Sequence, residues 1–180
     1  ATVYLVEDDD AVRDSLQMVL ESVGYHVAAY SRADSFLEEF STDMAGCLVL
    51  DIRMPGMNGM ELQRQLNMRN SILPIIFVTG HGDVPMAVEA MQRGAVDFVQ
   101  KPYREEELLG KIQQAIAADT ENRAELDAKH KIIERLAELT PREKQVMELM
   151  IEGKANKVIA YDLDISQRTV EIHRARVMEK

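Results

Sequence analysis

Four short apolar runs in this chain each stop at residues able to do chemistry. Val3-Tyr4-Leu5-Val6 ends in Glu7-Asp8-Asp9-Asp10, and Cys47-Leu48-Val49-Leu50 ends in Asp51, ahead of Ile52-Arg53-Met54-Pro55-Gly56. Ile75-Ile76-Phe77-Val78 ends in Thr79-Gly80, and Phe98-Val99-Gln100 ends in Lys101-Pro102. Carboxylates, a hydroxyl and an amine gathered at one edge can hold a divalent cation and a phosphoryl group. Carboxylates converging there repel one another. Mg²⁺ relieves this, since it favours one or two carboxylates together with water and phosphate oxygens. Asp51 is then free to attack phosphorus as a carboxylate nucleophile. Lys101 would neutralise phosphoryl oxygens and Thr79 would hydrogen-bond one of them. Taken singly, Asp8, Asp9 or Asp51 is more readily a cap of the next helix; their joint placement is what points to a site.

Such a site needs strands that end together. Apolar runs near 2–6, 26–30, 47–50, 75–79 and 96–100 read as strands, with amphipathic stretches such as Val12–Leu20 between them. Strands alternating with helices imply an α/β fold with a parallel, doubly wound sheet, and continuous apolarity fits burial on both faces. In the flavodoxin-like order 2-1-3-4-5 the ligand crevice lies between strands 1 and 3, where the chain places Glu7-Asp8 and Asp51. Lys101-Pro102 is a plausible cis peptide that would aim the amine inward.

Beyond Arg104 the pattern turns helical. One helix could run from about Glu105 to Leu139, weakest at Asp119-Thr120-Glu121-Asn122-Arg123. This divides the chain into a first domain (1–118), a mostly helical linker (119–139) and a small all-α domain (140–180). The apolar stripe of the linker fits a coiled coil or packing against its own domains. Thr140-Pro141-Arg142-Glu143 is a strong helix start, and Gly153 ends that helix. Asn156 is expected to cap a second helix and Ser166 a third, across a turn at Asp164-Ile165, which is helix-turn-helix spacing.

The composition agrees. Of 180 residues, 46% are hydrophobic, enough for a packed core. No apolar run is long enough to span a membrane, and no signal peptide is read ahead of the first strand. A start at Ala1 suggests processing or trimming. The single cysteine, Cys47, cannot pair internally and reads as a buried structural thiol, fitting a cytoplasmic setting. Net charge is −10, yet residues 140–180 carry 8 Lys and Arg against 7 Asp and Glu, an asymmetry that hints at two partners. His26, His81, His130 and His173 form no zinc pattern. No phosphate-binding glycine loop occurs, and the eleven methionines read as core filler.

Glu7-Asp8, Asp51 in Asp-Ile-Arg-Met-Pro-Gly-Met-Asn-Gly, Thr79 and Lys101-Pro102 resemble a bacterial response-regulator receiver domain. Leu-Thr-Pro-Arg-Glu-Lys-Gln-Val-Met and Thr169–His173 resemble the LuxR/FixJ-type helix-turn-helix. Gly80–Ala87 and Asn156–Ala160 look closest to the FixJ subfamily. The resemblance covers essentially the whole chain. It implies that Asp51 accepts phosphate from a partner histidine kinase, with metal contacts from Asp8, Asp51 and the Arg53 backbone carbonyl, and Glu7 acting through water. It also implies that Phe98 is an aromatic switch partner to Thr79, and that phosphorylation drives receivers to pair as homodimers, releases an inhibitory domain contact, or both. Glu7 stands where many members have Asp. The family has a fourth helix after the third, so the DNA-binding domain is expected to be C-terminally incomplete.

In that domain, the helix from Ser166 is expected to enter the major groove of double-stranded promoter DNA. Thr169 can reach a phosphate or a base, and Glu171, Ile172 and Ala175 share one face. Glu171 can accept from a cytosine amine and Ile172 can touch a thymine methyl. Lys157, Arg168, Arg174 and Arg176 are placed for phosphates. The competing reading puts Ile172 in the core against Val146 and Leu149. For the whole chain the rival is a haloacid-dehalogenase-like phosphohydrolase with Asp51 as nucleophile. It would need a second acid two residues on, where Arg53 stands, and leaves the helix-turn-helix without a role.

Overall fold

Val, Ile, Leu and Phe dominate the short runs that form the sheet, as expected for strands buried on both faces. The computed structural model describes residues 1–80 and 83–180; His81 and Gly82 of the Gly80–Ala87 segment lie outside the described residues. The strands are β1 (Thr2–Val6), β2 (His26–Tyr30), β3 (Cys47–Asp51), β4 (Ile75–Thr79) and β5 (Asp97–Gln100). All pair in parallel in the order β2-β1-β3-β4-β5. Between them run α1 (Asp10–Ser22), α2 (Ala33–Glu39), α3 (Gly59–Met68) and α4 (Val84–Gln92), and α5 (Glu105–Ala137) follows β5.

Alternate strand residues feed two cores. Tyr4, Val6, Leu50 and Phe77 pack with Phe36, Leu62 and Leu66 on one face. Val3, Leu5, Val49 and Val78 pack with Leu16, Leu20, Leu108 and Ile112 on the other. The edge strand β2 departs from the expected double burial: His26 and Ala29 are exposed, because a strand with one neighbour is only half covered.

The chain divides into two compact units, 1–123 and 124–180. The first runs past the expected boundary at 118, and helix α5 continues unbroken through 119–123. Asp119, 2% exposed, accepts the N–H of Gly46 at 3.0 Å. Arg123 pairs with Asp119 at 2.9 Å and donates to the carbonyls of Thr42 and Met44. These long-range partners override the weak local propensity.

The second unit holds the distal part of α5, then α6 (Pro141–Ile151), α7 (Asn156–Leu163) and α8 (Gln167–Glu179). Thr140 and Glu143 form a complete capping box, and Ser166 caps α8 through Thr169 N–H. Asn156 does not cap α7: Ala155 holds that place, and the Asn156 amide oxygen accepts from Arg174 Nη1 at 2.8 Å. Val146, Ile159, Ala160 and Val170 make the core. In the distal stretch of α5, Leu126, Ile132 and Ile133 are exposed rather than packed within the unit. Among the described residues no helix is long and apolar enough to cross a membrane.

Candidate functional site

The parallel order brings the ends of β1, β3, β4 and β5 to one edge, with Asp51 at the last position of β3. Beyond that point Ile52 stays fully buried, and Gly59 opens α3 against the strand end, donating its N–H to the Ile52 carbonyl at 2.9 Å. A β-carbon on Gly59 would lie 2.4 Å from the Asp51 carbonyl oxygen, so only glycine lets the helix start this close.

Three of the expected acids meet. Glu7, Asp8 and Asp51 each offer a carboxylate oxygen, and these lie within 4.8 Å of one another. Lys101 Nζ stands 3.2 Å from Asp51 Oδ2 and 3.5 Å from Glu7 Oε2. Burial, reinforced by the Asp51 charge, pushes the Glu7 carboxyl up to about 7, against the N–H of Asp9 and the Lys101 ammonium. Burial alone would lower the Lys101 ammonium, but Asp51 and Glu7 outweigh it and raise its pKa. One ammonium among three acids leaves excess negative charge in a set of hard oxygen donors. That arrangement fits a divalent cation.

Asp9 is not part of this cluster. Its side chain caps α1 by accepting from Val12 N–H, the ordinary role for an acid after a strand. Thr79 ends β4 fully buried, its hydroxyl 3.4 Å from the Val99 carbonyl. Phe98 sits opposite Phe77 on β5, half-buried against the first core, with Lys111 Nζ 5.9 Å from its ring centroid. Lys101-Pro102 is cis. Arg53 was expected to matter through its carbonyl. Its N–H donates to Asp51 Oδ1 at 3.3 Å, and its side chain pairs with Asp83 at 2.6 Å. Sequence reading missed Asp83, and no local pattern could have paired it with a residue thirty positions away.

In the second unit, Arg168, Glu171, Ile172, Ala175 and Arg176 are exposed on α8, and Lys157 is exposed on α7. Ile172 is 46% exposed, so it is not the core residue of the competing reading; Val170, fully buried, fills that place. Thr169 Oγ1 already meets Ser166 Oγ at 2.8 Å. Arg174 is half-buried on Asn156, which ties α8 to α7 and makes it a structural group as well as a candidate phosphate contact.

Residues 3–113 match the family described as the response regulator receiver domain, and residues 137–180 match the bacterial regulatory proteins of the luxR family. The chain is 46% identical over 178 residues to the transcriptional regulatory protein FixJ of Azorhizobium caulinodans, covering 99% of this chain and 84% of that one. It is 43% identical to the response regulator protein TodT of Pseudomonas putida over 180 residues, covering 100% of this chain and 79% of the other. Among solved structures it is similar to the response regulator StyR, with a TM-score of 0.93 at 43% identity over 99% of this chain and 90% of that one. Full-length FixJ from B. japonicum gives a TM-score of 0.64 at 44% identity, covering 99% and 88%.

Proposed function

The chain belongs to the response-regulator family, joining a receiver domain to a luxR-type regulatory domain, and on that premise we propose that Asp51 is the phosphoacceptor through which a sensor histidine kinase controls DNA binding. The observation that carries this reading is the Lys101 ammonium placed 3.2 Å from Asp51 within the acidic cluster. Mg²⁺, when held by Asp8, Asp51 and the Arg53 carbonyl with Glu7 beside them, supplies positive charge against phosphoryl oxygens. The Asp51 carboxylate attacks phosphorus while the bond to the donor's histidine nitrogen breaks. Lys101 pairs with the oxygens that accumulate charge. The family is one of transcriptional regulators rather than classical enzymes; turnover here is confined to self-phosphorylation from small donors and self-dephosphorylation.

The Thr79 hydroxyl then turns from the Val99 carbonyl toward the phosphoryl group, and Phe98 rotates into the space beside it. This changes the face of β4, α4 and β5, where two phosphorylated receivers pair. In the second unit α8 reads bases through Glu171, Ile172 and Ala175. Lys157, Arg168 and Arg176 meet phosphates, and Thr169 and Arg174 are placed to join them.

Intact-mass measurement with Mg²⁺ and a small acyl phosphate tests the assignment. One added phosphoryl group is expected, absent in Asp51→Asn; a full signal in that variant would sink it.

A further inference from the structure

We propose that Arg53 and Asp83 form a latch that holds the start of α4 in place and is released when Asp51 is phosphorylated, an inference that rests on Asp51 being the phosphoacceptor. Asp83 occupies the N-cap position of α4, yet its carboxylate makes no capping hydrogen bond. It is turned inward, its side chain only 4% exposed, and Arg53 Nε reaches Oδ1 at 2.6 Å. It also lies against Gly80, the residue after Thr79: a β-carbon there would sit 3.4 Å from Asp83 Oδ2. A buried carboxylate that loses its cationic partner is strongly destabilised where it stands.

Arg53 is tied to the phosphorylation site at its other end, since its own N–H donates to Asp51 Oδ1. Its side chain is 73% exposed, so it can swing without disturbing the core. A phosphoryl group on Asp51 adds a charge of about −1.5 to −2 and three acceptor oxygens. Arginine takes such groups bidentately. The phosphoryl group therefore competes with Asp83 for Arg53. Once abandoned, the Asp83 carboxylate must move outward to water and carries the first turn of α4 with it. The far end of α4 is held differently. Gln63, 1% exposed on α3, donates to the Ala90 carbonyl at 2.9 Å, and Asn67 donates to the Arg93 carbonyl at 3.0 Å. No charge at Asp51 competes for these amides. The helix pivots about its C-terminal end.

The test uses the full chain and Asp83→Asn, which removes the charge that Arg53 pairs with while keeping the size of the side chain. Beryllofluoride with Mg²⁺ is titrated and followed by fluorine NMR. Wild type must bind and Asp51→Asn must not; if wild type fails to bind, the phosphoacceptor reading fails and the latch falls with it. Given wild-type binding, Asp83→Asn should bind about 5-fold tighter or more, because the contact that opposes activation is gone. Adding Arg53→Ala to Asp83→Asn should weaken binding again, because the phosphoryl mimic loses its arginine. Unchanged or weaker binding by Asp83→Asn overturns the latch. In metal-free protein, hydrogen exchange at Ala87, whose N–H is bonded to the Asp83 carbonyl, should quicken in Asp83→Asn while Arg93 stays as in wild type. Equal acceleration at both ends, or none at either, overturns the pivot.

Discussion

Gly59 shows how closely single atoms set this site. Its missing β-carbon is what allows α3 to begin against Asp51. Gly59→Ala is expected to destabilise the receiver by about 1–3 kcal/mol, the usual range for overpacking. The Asp51 carbonyl cannot yield without moving the end of β3. The rate of phosphoryl incorporation should therefore fall together with stability, the first followed by intact mass and the second by urea unfolding. Normal incorporation in a destabilised variant would show that Asp51 tolerates the shift. Cys47 illustrates the reverse case. Burial pushes its thiol up to about 12, so it is packing rather than chemistry despite lying four residues from Asp51.

Among elements, the start of α6 depends on charge. Burial alone would raise the Glu143 carboxyl, but Lys180 Nζ at 3.1 Å and the Thr140 N–H, with Arg176 nearby, hold it below its usual value of 4.5. A depressed folded pKa gives stability that is fully present above the ordinary carboxylate value. It is lost as pH falls through the folded value. Glu143→Gln should therefore speed amide exchange across α6 at neutral pH, and the difference from wild type should shrink as pH falls below 4.5 and vanish only below the folded value. A difference that persists unchanged at low pH would assign the effect to shape alone. Helix α8 has its own test, because base and phosphate contacts respond differently to substitution. Glu171→Ala should relax specificity at one base pair by roughly 1–3 kcal/mol, while Arg168→Ala should weaken all sequences alike and flatten the salt dependence. Gel-shift titrations over a range of salt separate the two. Intact sequence preference in both Glu171→Ala and Ile172→Ala would mean that this helix is not the reader.

For the molecule as a whole, the question is how phosphate at one sheet edge changes behaviour toward DNA. Val84, Val88 and Met91 are exposed on α4, and Val96 is exposed just before β5, which gives the proposed pairing face an apolar surface. Two-state coupling of a few kcal/mol is enough to shift such an equilibrium. In ultracentrifugation, beryllofluoride with Mg²⁺ should raise the mass from that of a 20.4 kDa chain toward twice that value. An unchanged mass at tens of micromolar, on the order of ordinary assay concentrations, would mean that phosphate acts without pairing receivers.

What the sequence determined by itself was everything local or periodic. The five strands, the reactive residue that closes four of them, the Thr140 capping box and the Ser166 cap are all readable from residue type and spacing, because strand burial and helix starts depend on near neighbours. From these the acidic cluster of Glu7, Asp8 and Asp51 with Lys101 could be anticipated, since one topology brings those strand ends together. The tertiary structure alone decided the pairs that cross the fold. Arg53 on Asp83, Gln63 on the Ala90 carbonyl, Arg123 and Asp119 on the loop before β3, and Arg174 on Asn156 join residues far apart in sequence. None leaves a periodic trace, because a buried polar group is satisfied by whatever partner the completed fold brings within reach. This is why the boundary expected at 118 moved to Arg123, and why Asn156, a good cap by type, serves Arg174 instead.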